Sequence, residues 1–119
     1  MAYRLGGSVL GVCLLAGAGA VHAIPVDLEL SLVIDSSGSI NGGEFEQQID
    51  GYASAFRQDS VINSIVNAPS GVAINTILFA VEAEEVITFQ HLRTEDDVLA
   101  FAETLEDIER ITGGNPEQQ

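Results

Sequence analysis

The sequence predicts an α/β fold of order β-α-β-β-α, the N-terminal half of a doubly wound, mostly parallel sheet. Three observations carry that reading. Leu28, Leu30, Leu32 and Ile34 recur at every second position and run into Asp35, which is the period of a strand. Residues 72–81 form an almost wholly apolar, β-rich run interrupted only by Asn75 and Thr76, as suits a strand buried on both faces. Between the two, Phe45, Ile49, Tyr52, Ala53 and Phe56 line one face of a helix. One helical crossover between two such strands makes them parallel neighbours.

The remaining elements follow in order. Asn41-Gly42-Gly43-Glu44 reads as a capping box that starts the first helix. A short helical piece is expected over 60–66, with Val61, Ile62 and Ile65 turned inward. The cluster Asn67-Ala68-Pro69-Ser70-Gly71 ends it. After strand two, Glu82 to Glu85 reads as a turn, and 86–89 as a short antiparallel strand at the outer edge. Thr94 then caps a last helix, with Asp97 at its third position and acids in the first turn, where the helix dipole favours them. Val98, Phe101, Ala102, Leu105 and Ile108 form its apolar stripe.

Residues 1–23 read as a secretory signal peptide. Arg4 supplies the positive end, 5–20 is apolar and rich in Gly and Ala, and Val21-His22-Ala23 offers a cleavage site. The apolar stretch falls short of the roughly 20 residues that span a bilayer, so no stable membrane anchor is expected. The mature product would be periplasmic or extracellular. The one cysteine, Cys13, lies in this leader, so no disulfide is available to the mature chain.

The net charge of −14 sets 18 acids against four cationic side chains, all arginine. Such a surface repels phosphate backbones and anionic membranes, which argues against nucleic acid as a partner.

The chemistry concentrates at the end of the first strand. Asp35, Ser37 and Ser39 in Asp35-Ser36-Ser37-Gly38-Ser39 are spaced by two, so a tight loop can turn three oxygen ligands to one side. Hard divalent cations such as Mg²⁺ take oxygen ligands. In open α/β sheets, ligands sit beyond the carboxyl ends of the strands.

This D-x-S-x-S run after an apolar strand resembles the first metal-ligand loop of von Willebrand factor type A domains, part of their metal-ion-dependent adhesion site. Pro25-Val26-Asp27-Leu28-Glu29-Leu30, Gly43-Glu44-Phe45 and Gly51-Tyr52 are similar to a bacterial exported subfamily. The resemblance covers 24–114, leaving 115–119 as a polar tail. It implies a non-enzymatic binding or adhesion module. Ser37 and Ser39 would hold a divalent cation through their hydroxyls, Asp35 directly or through water. A vacant position would accept a carboxylate from a protein partner.

The resemblance also implies a second loop with a Thr after a Gly-Gly pair and a third loop with an Asp. Here Gly113-Gly114 precedes Asn115 and Pro116, and the chain stops short of the third loop. The expectation is therefore a partial site with weak Mg²⁺ affinity. Strand one, central in that family, would lie at an edge open to self-association. A shortened, non-functional fragment is the alternative functional reading.

Two other readings of the loop exist. Asp35, Ser37, Ser39, Asn41, Gly43 and Glu46 fit the ligand positions of an EF-hand count, although Ile40 stands where the turn glycine belongs. Asp35 could also act as a nucleophile after a strand, but aspartyl phosphotransfer calls for a Lys, and the chain has none. No Gly-x-Ser-x-Gly elbow or His-rich cluster is present, and His91 reads as exposed and ordinary.

Overall fold

The period-two pattern of 28–34 folds as β1 (Leu28–Asp35). It opens a computed structural model that describes residues 23–111. The order continues through α1 (Gly42–Phe56), α2 (Asp59–Val66), β2 (Val72–Phe79), β3 (Ala83–Leu92) and α3 (Glu95–Glu106). Residues 1–22 of the leader expected over 1–23, Gly113-Gly114 and the tail 115–119 lie outside the described residues. No helix among the described residues is long and apolar enough to cross a membrane.

The fold is α/β. The sheet order is β1-β2-β3. β1 runs parallel to β2 along its whole length, from Leu28 opposite Val72 to Asp35 opposite Phe79. β3 returns antiparallel on the far side of β2. The sheet is thus mixed, with one parallel pairing and one antiparallel.

The helices cover one face. Leu32, Val72, Ile74, Ile87 and Leu92 join Ala53 and Phe56 of α1, Ile62 and Ile65 of α2, and Val98, Phe101, Ala102 and Leu105 of α3 in the main core. A second cluster, Ile34 and Leu78 against Phe45 and Ile49, sits under the carboxyl ends of β1 and β2. Phe56 and Phe101 meet edge to face, with centroids 5.0 Å apart, a favoured aromatic geometry. On the other face Val33 and Phe89 are half exposed, at 54% and 50%.

Three local expectations are corrected. β2 ends at Phe79 rather than continuing to 81. The turn is Ala80-Val81-Glu82, closed by Ala80 N–H donating to the Glu82 carbonyl at 2.9 Å. β3 therefore begins at Ala83 and extends to Leu92, far beyond 86–89. Glu84 and Glu85 are strand residues because an outer strand tolerates charge. The Glu85 carboxylate also accepts a 2.7 Å bond from the Asn75 side-chain amide across an irregularity in the β2–β3 pairing. His91 lies inside β3, half-buried, with its Nε2 2.7 Å from the Ser70 carbonyl.

The sequence-readable caps form as expected. Asn41 Oδ1 accepts from the Glu44 N–H at 3.0 Å, and Glu44 Oε2 accepts from the Asn41 N–H at 2.8 Å. Thr94 and Asp97 make the same reciprocal pair on α3, and Asp97 also accepts from the Arg93 N–H at 2.9 Å. Glycine is required at Gly71, whose φ is +78° and where a Cβ would lie 2.8 Å from the Leu92 carbonyl oxygen.

Asp97 also yields a pH prediction. The Arg93 N–H, then the Thr94 hydroxyl and N–H, hold its carboxyl below the ordinary 3.8. A depressed folded pKa means that the unfolded chain binds the proton first. This group's contribution is therefore complete above the unfolded pKa and is lost as pH falls through the lowered one. Comparing wild type with Asp97→Asn cancels the general change in surface charge. The stability gap between them, measured by urea unfolding, should be widest at neutral pH and shrink as pH falls below about 4. A gap independent of pH would show that the cap does not depend on its charge.

Candidate metal-binding loop at the end of beta1

β1 delivers Asp35 to its carboxyl end, where the chain leaves the sheet. The last parallel rung is Ser36 N–H to the Phe79 carbonyl, 2.8 Å. The Asp35 carboxylate then turns back on its own loop. Its Oδ1 accepts from the Ser37 N–H at 2.8 Å. The hydroxyls of Ser37 and Ser39 lie 3.1 Å apart. Ile40 N–H closes the turn on the Ser37 carbonyl at 3.0 Å, and Asn41 starts α1. Asp35 and Ser37 are half-buried and Ser39 is exposed. All three predicted ligand residues therefore lie together, Asp35 as the last residue of β1 and Ser37 and Ser39 on the loop that follows it.

The Ser37 hydroxyl, and after it the Ser37 N–H, lower the Asp35 pKa from 3.8, with desolvation opposing them. Asp35 thus stays ionised below the usual carboxylate range, the state a cation ligand needs. The donor set of one carboxylate and two hydroxyls is hard oxygen, which fits Mg²⁺ better than a softer ion. Among the described residues no three His, Cys, Asp or Glu side chains converge to hold a metal. A site at this loop would rest on its serines.

The EF-hand count fails on geometry. A strand, not a helix, precedes Asp35, and 42–46 are already helix, so Gly43 and Glu46 do not lie in a loop. Asn41 spends its carbonyl on the helix cap.

Four residues that the sequence did not single out hold the loop. Ser36 is fully buried, and its hydroxyl donates to the Ile111 carbonyl at 2.8 Å. Gln48 on α1 donates from Nε2 to the Asp35 carbonyl at 3.0 Å. Arg110 donates from Nη2 to the Ser37 carbonyl at 2.9 Å and to the Ile40 carbonyl. Ser36 was hidden between two candidate ligands. Gln48 carries no signal, being one polar residue on a helix. Arg110 had a weak one, as a cation in a strongly acidic chain placed just before a Gly-Gly pair.

Residues 25–116 match the model of a family described as Protein of unknown function (DUF1194). The chain belongs to this family. The DUF1194 match takes in every strand and helix described above, together with the loop and Arg110. It starts at Pro25, so the expected leader falls outside it. No curated protein matches the chain.

Proposed function

We propose that this DUF1194 chain is an exported, non-enzymatic binding module of von Willebrand factor type A character, with a divalent-cation site on Asp35, Ser37 and Ser39. The observation that carries the reading is the loop itself. An ionised carboxylate and two hydroxyls 3.1 Å apart stand together beyond the carboxyl end of a parallel strand. Mg²⁺ is the preferred cation from the ligand chemistry. A cation held there would offer an open coordination position to a carboxylate on a protein partner. The acidic surface makes nucleic acid and anionic membranes poor partners.

Few protein ligands mean weak binding. The Kd for Mg²⁺ should be no tighter than the roughly 10⁻⁴ to 10⁻³ M of low-affinity extracellular Ca²⁺ modules, because Mg²⁺ sheds its water more reluctantly. Titration calorimetry in a background of monovalent salt should give one such site in wild type and none in Asp35→Ala. The salt screens diffuse attraction by the other acids. Saturable binding that survives Asp35→Ala would place the cation elsewhere. For export, the mass of the secreted product should correspond to a chain starting at Ile24. An exported product that retained Met1 would refute cleavage.

A further inference from the structure

The segment that follows α3 reaches back to the candidate loop and holds it through three hydrogen bonds. Arg110 Nη2 bonds the carbonyls of Ser37 and Ile40, which bracket the Gly38-Ser39 turn. The next residue, Ile111, accepts the hydroxyl of the buried Ser36 at 2.8 Å. These partners are 70 to 75 residues apart in sequence. In a chain with 18 acids, an arginine has carboxylates to choose from, yet this half-buried one faces backbone carbonyls. The bonds fix the positions of the residues that carry the Ser37 and Ser39 hydroxyls.

We propose that Arg110 is a positioning residue for the cation loop, and that Arg110 and Ile111 form a strap coupling cation binding at Asp35, Ser37 and Ser39 to the docking of the segment after α3. This inference rests on the cation reading above. Linkage makes the coupling reciprocal: whatever docks the strap tightens the cation site, and a bound cation holds the strap. The guanidinium acts through the loop backbone and is not itself a ligand.

The test uses the full chain with Arg110→Met, Arg110→Lys and Ser36→Ala, and two readouts. The first is amide hydrogen exchange without cation. The Ser37 and Ile40 N–H groups should exchange at least 5-fold faster in Arg110→Met, while those of β2 keep their protection. The second is Mg²⁺ affinity by calorimetry. It should fall about 5-fold or more in Arg110→Met, the lower end of ordinary coupling, and recover in part in Arg110→Lys, whose ammonium can still donate to carbonyls. Ser36→Ala removes the other half of the strap and should weaken affinity in the same direction; it serves if Arg110→Met does not fold. Equal Mg²⁺ affinity in wild type and the strap variants would overturn the inference and leave the cation site standing. Unchanged exchange at Ser37 and Ile40 would overturn it as well. A wild type that binds no Mg²⁺ would overturn the cation reading, and this inference with it.

Discussion

Leu78→Ala should destabilise the protein by about 2–5 kcal/mol, the usual loss for a buried leucine. Leu78 is fully buried on the central strand and packs with Ile34, Phe45 and Ile49. Small domains have about 5–15 kcal/mol in total. With helices over one sheet face among the described residues, this chain should lie at or below the low end. The variant should therefore be largely unfolded at 37 °C, as circular dichroism and urea titration would show. Ile34 lies opposite Leu78 in the register and directly precedes Asp35. The cavity would thus open beneath the candidate loop and should weaken Mg²⁺ binding even where the variant still folds. Val33→Ala is the control. Val33 is on the uncovered face, and its truncation should change stability by no more than about 0.5 kcal/mol. Equal effects of the two variants would mean that the small cluster is not a true core.

The second large effect is association. Among the described residues β1 pairs on one side only, with β2. Its other edge offers backbone donors and acceptors beside Leu28 and Leu30, exposed at 53% and 38%. An open apolar edge is a template for pairing with another chain. A net charge of −14 opposes that pairing, and salt screens it, from a Debye length of about 30 Å at 0.01 M to about 8 Å at 0.15 M. Light scattering should therefore show the protein mostly monomeric and loosely ordered at 0.01 M salt. Near physiological salt it should be more ordered and self-associated. Leu30→Lys puts a charge on the edge at little cost to packing and should sharply reduce the association. A salt-independent monomer that unfolds in one cooperative step with several kcal/mol of stability would refute this expectation.

How much the sequence revealed depended on the range of the interaction. The capping boxes of Asn41 with Glu44 and Thr94 with Asp97 span three residues, and both were legible. β1 was legible because burial of one face imposes a period of two, and Leu32 and Ile34 do face the core. The spacing of Asp35, Ser37 and Ser39 was enough to place them on one loop. The start of β3 was misread because Glu84 and Glu85 look like a solvated turn. Only pairing with β2, and the Asn75 amide facing Glu85, make them strand.

The amino-acid sequence by itself determined the α/β class of the fold, the run of its strands, the caps and the closeness of Asp35, Ser37 and Ser39, since each is encoded within a few residues. Tertiary structure alone decided what holds those three residues in place. Ser36, Gln48, Arg110 and Ile111 converge on the loop through side chain–backbone hydrogen bonds. A backbone carbonyl accepts from any donor that reaches it, so such contacts leave no pattern in the residues that receive them.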